Sequence, residues 1–469
     1  MTTYILGAGP AGMAVVDGMV DSSAGSFVLL EQSKSLGGLA QTIAWEGVGD
    51  HDLGPHKIFS LDKSLIARIE ALLPIEGWLT REKISTIYIN GHYLPYPPSP
   101  FSLAGVFGLT KFIKMVFGYG IAQISSLINV QAPSTFEQDL QGRLGAPLYN
   151  ILFKPIAEKL WADPKTLDVK LSRGRVQTPS LFEVFGRLLR IKKNSAFEAL
   201  TFRYPKGGLG RLWNAIAAKS LNHGKILLSH TVTGLVVEGG RVRQIKFSTN
   251  GKEGVFDLCQ EDNIVSTLPL THTIKILKES LPPNAENLSK NIIVLNDLLL
   301  VFLHIDTPSL VKESWVFIPD PKVIFHRLSE QESFDPSMTP NGSIVCCEIM
   351  SSDSRRLSNK TDEELIFMAI EGLNEMGYVG FNVISQKVIR LPKSYPVFNV
   401  GFEAGLKELL VALDSFENFK SIGRQGAFNY IGTLDAMDIG YGFVNWMTQN
   451  KTLSWVNERE RTNHYPVLD

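Results

Sequence analysis

The sequence predicts an α/β protein in which a parallel-sheet core is interleaved with a second, α+β part of mixed sheet and helices. Two observations predict it. A strand, a glycine-rich turn, a helix and a second strand stand in register at the N terminus. Stretches of the same character then recur far along the chain, separated by helical and strand-rich inserts.

The N-terminal unit is Tyr4-Ile5-Leu6-Gly7-Ala8-Gly9-Pro10-Ala11-Gly12. A short apolar strand runs into G-x-G-x-x-G. Gly7 allows the tight turn, Gly9 lets a pyrophosphate approach the backbone, and Gly12 lets the helix pack closely on the strand. Pro10 and Ala11 open a small-residue helix whose free N–H groups suit phosphate. The second strand, Phe27-Val28-Leu29-Leu30, ends on Glu31, 19 residues after Gly12, about where a carboxylate accepts hydrogen bonds from a ribose. The unit reads as a Rossmann-type dinucleotide site.

Composition bounds the rest. The chain has 469 residues, 44% of them hydrophobic, enough for a large core and two or three domains. Its 46 basic and 47 acidic residues give a net charge of −1, which argues against a general nucleic-acid binder. Three cysteines offer neither a disulfide framework nor metal-ligand spacing, so no metal site is expected. Cys346 and Cys347 read as buried small hydrophobes of a strand. A reducing cytoplasm is the expected location. The first strand begins at about residue 3, leaving no room for a targeting segment before it.

The expected core is discontinuous: residues 1–75, 201–270 and 411–450. Residues 76–200 and 271–410 are expected to form the substrate part, and 451–469 a C-terminal tail. The first insert starts with a hairpin, Ile84–Tyr93, around Asn90-Gly91. The second is strand-rich, at Leu298–Ile305, Ser314–Ile318, Val323–Leu328 and Ser343–Ile349. It also carries a helix from Thr361, where Thr361-Asp362-Glu363-Glu364 is a capping box. Residues 101–129 are apolar and helical. They are expected to be a buried helix pair, too polar toward their end for a transmembrane span. The other reading is a peripheral membrane contact, or a mouth for a greasy substrate.

Several motifs resemble those of the FAD-dependent amine-oxidase and protoporphyrinogen-oxidase superfamily, near its UDP-galactopyranose-mutase-like branch. Glu31-Gln32, followed by Gly37-Gly38-Leu39, resembles the E-x(5,6)-G-G segment of these enzymes. Asp52-Leu53-Gly54-Pro55-His56-Lys57-Ile58-Phe59 resembles their glycine–histidine loop. Phe153-Lys154-Pro155-Ile156-Ala157-Glu158-Lys159-Leu160-Trp161-Ala162-Asp163-Pro164 resembles a G-Y-x-x-K-x-W-x-x-D-P segment, with Pro155-Ile156 in place of Gly-Tyr. Arg173-Gly174-Arg175-Val176 follows it. Gly423-Arg424-Gln425-Gly426, running on to Leu434-Asp435, resembles the C-terminal flavin motif.

The resemblance implies FAD, held by Gly7, Gly9, Pro10, Ala11, Gly12, Glu31, Gln32, Gly37, Gly38, Leu39, Gly54, Pro55, His56, Val232, Gly423, Arg424, Leu434 and Asp435. His56 could tune the flavin or shuttle a proton. Arg175 could grip a diphosphate by paired hydrogen bonds, and Arg424 would sit by flavin or substrate. His56, Arg175 and Arg424 are therefore the catalytic candidates, and Lys159, Trp161, Arg175 and Tyr395 the substrate candidates. Two chemistries follow for a small-molecule substrate. One is an oxidoreductase passing hydride to flavin N5, which the lost Gly-Tyr pair and the apolar region favour. The other is a redox-neutral sugar isomerisation of the mutase type, using reduced FAD as nucleophile. A non-enzymatic flavin-stabilised scaffold is a minor third. His304 and His326 read as structural.

Overall fold

The computed structural model describes residues 1–128, 132–176, 201–352, 354–449 and 454–461. Most of the expected tail and residues 177–200 of the first insert lie outside these. The N-terminal strand Thr2–Leu6 has four consecutive buried residues, the pattern of a parallel strand covered on both faces. It is the middle strand of a five-stranded sheet, ordered Phe419–Ser421, Asn263–Ser266, Thr2–Leu6, Ser26–Leu30, Gly224–Leu227. All four pairings are parallel. Three distant pieces of chain thus build one sheet.

The first helix, Pro10–Ser22, begins immediately after the glycine turn, with Gly9 as its N-cap and Pro10 inside its first turn. Gly12 is where it meets the strand: a Cβ there would lie 2.0 Å from the Gly7 carbonyl oxygen. The helix Thr433–Thr448 lies against its other side, and a Cβ on Gly440 would lie 2.3 Å from the Ala11 oxygen.

The second sheet has seven strands, ordered Val383–Val397, Val294–Ile305, Ser343–Ser351, Arg327–Glu330, Trp315–Phe317, Ser85–Ile89, His92–Pro95. The hairpin of the first insert therefore joins the strands of the second, through a parallel pairing of Trp315–Phe317 with Ser85–Ile89. Asn90 and Gly91 both have positive φ, as the two-residue hairpin turn requires. The helix Asp362–Glu375 starts with the expected capping box on Thr361 and Glu364, and packs on this sheet through Leu365, Ala369 and Leu373.

Three expectations need correction. Val323–Leu328 is not one strand: only Arg327–Glu330 pairs, because the carbonyls of Val323 and Phe325 turn to a buried ammonium, that of Lys159. Val383–Val397 is a long strand that the sequence hid behind Pro392 and Pro396. It lies at the sheet edge, where a missing N–H does little harm. The apolar region is a helical pair, as expected, but not a buried one: Pro100–Ile128 is interrupted at Gly108, whose backbone is non-helical, and carries much of its apolar surface outward. Among the described residues it is the one helix long and apolar enough to cross a membrane, over Pro100–Ser125.

The Gly12 contact yields a prediction. Gly12→Val forces the first helix off the sheet, because backbone cannot give way as a flexible side chain does. The expected outcome is loss of soluble, cooperatively unfolding protein, or a fall in thermal midpoint of more than about 10 °C by circular dichroism.

Candidate functional site

The glycine turn, the second-strand terminus and the C-terminal helix start all border one cavity of about 1040 Å³. Gly7, with φ of +100°, makes the turn. Nothing stands within 4 Å of the Cβ position of Gly9, so the space above it is open. Gly38 approaches from the other side; a Cβ on it would lie 3.1 Å from the Gly9 Cα. The two glycine pairs thus touch each other. The Glu31 carboxylate accepts hydrogen bonds from the backbone N–H of Ala8 at 2.7 Å and of Ser33 at 2.8 Å. These fix it at the cavity wall and leave further lone pairs for a ribose. Gln32, Leu39, Pro55 and Val232 complete this end.

The loop carrying His56 is tied down at both ends. Asp52 is buried and accepts hydrogen bonds from Thr42 Oγ1, the Tyr204 hydroxyl and the Leu209 N–H. Burial raises its pKa to about 6. Ile58 exchanges both backbone hydrogen bonds with Arg203. Between these anchors His56 faces the cavity, its Nε2 buried without a hydrogen bond of good geometry. Burial first, then the Arg327 charge, push its pKa down to about 4, so the ring is neutral at pH 7.

The far end of the cavity is cationic and aromatic. The Arg175 guanidinium lies 3.6 Å from the Tyr430 ring centroid, and its Nη2 donates to the Tyr430 carbonyl. Arg424 sits 4.9 Å from the Tyr395 ring and 4.8 Å from the Tyr430 ring, with Nη1 donating to the Ile431 carbonyl. Gly423 and Tyr395 line the same wall.

Sequence reasoning missed two residues here. Arg327 forms a two-pronged ion pair with the fully buried Glu348, and both line the cavity. A Cβ on Gly54, whose φ is +94°, would lie 3.5 Å from the Glu348 carboxylate. The signal was available: Glu348 is a lone acid inside the apolar strand Ser343–Ser351.

Other expected residues fall elsewhere. Gly12 and Gly37 shape the backbone behind the cavity and do not line it. Leu434 packs into the core of the parallel sheet. Asp435 caps its own helix by accepting from the Gly432 N–H, and Gly432, Thr433 and Ala436 line the cavity in its place. Lys159 is not on the cavity wall: its ammonium is buried and donates to the carbonyls of Ile318, Asp320, Val323 and Phe325. Trp161 is 5% exposed, packed on Phe136 and Tyr430, and absent from the cavity wall. His304 and His326 are buried in and beside strands of the seven-stranded sheet, as expected of structural histidines. Cys346 and Cys347 are buried too, and burial raises both thiol pKa values.

No family model matches the chain. Solved structures do resemble it. A reduced UDP-galactopyranose mutase superposes with a TM-score of 0.84 at 18% identity, covering 99% of this chain and 98% of the mutase. A protein assigned as a protoporphyrinogen oxidase, from Exiguobacterium sp. 255-15, gives 0.74 at 16% identity, over 96% and 99%. A putrescine oxidase triple mutant redesigned in its cofactor binding gives 0.61 at 13%, over 96% and 100%. The chain shares their fold. That agrees with the resemblance its motifs carry, extended over nearly the whole length.

Two predictions follow from the buried groups. Lys159→Met leaves the surrounding carbonyls without their donor. It should cost about 2–4 kcal/mol in urea unfolding without altering the cavity. Burial holds His51 and His56 at about 4 and His326 well below its ordinary value. At these three groups the unfolded chain binds protons below about pH 6.5 that the folded chain refuses, so they lower stability as pH drops from about 6.5 toward 4. His326→Gln removes one such group and should make the urea midpoint less pH-dependent over that window.

Proposed function

We propose that the chain is a FAD-dependent oxidoreductase acting on an anionic small molecule. One observation carries this reading: a single cavity joins the glycine cradle and Glu31 to the chamber of His56, Arg175, Tyr395 and Arg424. The residues present fit the cofactor. The open space above Gly9 suits a pyrophosphate, with the N terminus of Pro10–Ser22 facing it, and Glu31 suits a ribose. Gly38, Leu39, Pro55, Gly423 and the start of Thr433–Thr448 would hold the remainder. When bound, FAD supplies a two-electron acceptor for hydride.

The chain's own residues do the rest. Arg175 and Arg424 bind and orient an anionic group, held in place by the Tyr430 and Tyr395 rings. His56, neutral at pH 7, accepts a proton at Nε2 or holds a hydrogen bond there. Leu53, Leu298 and Leu391 line the wall and exclude water. With Arg327 offset by Glu348, the Arg175 and Arg424 guanidiniums are what makes the chamber disfavour a cationic amine and favour carboxylate or phosphate.

The second reading is a redox-neutral sugar mutase, supported by the fold match to the mutase and by the Arg175–Tyr430 stack. Against it, Lys159 and Trp161 are packed away from the cavity.

The experiment is an anaerobic titration of the dithionite-reduced, FAD-loaded protein with UDP and UDP-galactose, followed in the flavin bands. The oxidoreductase reading expects no response to either. A saturable change in the wild type that Arg175→Ala weakens about tenfold or more would support the mutase instead. Failure to retain flavin absorbance after FAD is supplied would sink both readings.

A further inference from the structure

We propose that the helix Pro100–Ile128 docks the protein in the plane of an anionic lipid surface. The inference is independent of the reaction. Beyond the bend at Gly108, successive side chains turn about 100° around the helix. Leu109, Ile113, Val116, Phe117, Ile121 and Ile124 therefore share one arc, and each is between 44% and 69% exposed. Phe101, before the bend, is 77% exposed. A surface helix of a water-soluble protein turns such a stripe inward; this one turns it outward.

The opposite side is committed to the protein. Met115 and Ala122 are buried, and a Cβ on Gly118 would lie 2.6 Å from Pro147. Leu103 and Phe107 pack on the hairpin residues Ile87, Ile89 and Leu94. A helix held along one side by protein cannot be ringed by lipid, so it lies on the bilayer rather than crossing it.

Charge selects the occupant. From Tyr93 to Phe136 the only charged residues are Lys111 and Lys114. Both are exposed; Lys114 stands at one edge of the apolar arc and Lys111 a turn before it on the same side. Two lysines beside an apolar stripe complement anionic headgroups above acyl chains. A second copy fits less well. In a two-fold pair the patch meets itself, placing like charges together with no acid to answer them.

The test is flotation of the full-length protein with vesicles of phosphatidylcholine alone, or mixed with phosphatidylglycerol. The wild type should float with both, more strongly with the mixed vesicles, and less so at high salt. The triple variant Ile113→Ser, Phe117→Ser, Ile121→Ser should bind about a hundredfold or more weakly, with unchanged circular dichroism and thermal midpoint. Lys111→Gln with Lys114→Gln should lose about tenfold or more on the anionic vesicles only. Two outcomes overturn the proposal. One is a wild type that floats with neither vesicle. The other is a triple variant that floats as the wild type does but falls from oligomer to monomer by light scattering, which would make the face an interface between copies.

Discussion

The whole arrangement depends on how closely backbones approach around the first helix. One side of Pro10–Ser22 lies against the Gly7 carbonyl through Gly12, and the other takes the C-terminal helix at Gly440. No side chain larger than hydrogen fits at either point. Because the helix is clamped on both sides, its N terminus points at a fixed place between the strand ends. Gly38 then closes on Gly9 from the far wall. The cradle is thus set by backbone sterics, which are stiff, rather than by rotamers, which are soft.

Such constraints are legible in a sequence, because only glycine satisfies them. That is why the positions of Gly7, Gly9, Gly12 and Gly38 could be read before any coordinates, and why the capping box at Thr361 could be too. What could not be read were roles set by partners distant in sequence. Lys159 looked like a site residue because its neighbours form a motif, but its role is decided by carbonyls some 160 residues later. The same carbonyls broke the expected strand at Val323. Trp161 was equally ambiguous between core and pocket; it packs in the core, against Phe136 and Tyr430. Glu348 was hidden for the opposite reason: its setting is an apolar strand, and its partner Arg327 lies on the next one.

The chamber has a consistent electrostatic logic. Each cation has somewhere to rest. Arg327 is paired with Glu348, while Arg175 and Arg424 lean on tyrosine rings and backbone carbonyls. Rings and carbonyls orient a guanidinium without cancelling its charge, so the chamber keeps a positive field available to an incoming anion. Arg327 nearby also helps keep His56 neutral. Burial is the main reason that ring is neutral, and the Arg327 and Arg424 charges add to it.

The strand order of the parallel sheet has a consequence for how the chain is made. Its central strand leaves the ribosome before the other four, and its edge strand, Phe419–Ser421, after them. The cradle cannot close until more than four hundred residues have been synthesised. Until then Leu6, Leu30 and Val265 have no finished layer to bury them. Sequence-distant pairings of this kind fold slowly and leave apolar edges exposed meanwhile. A break anywhere before residue 419 would leave the sheet without its last strand.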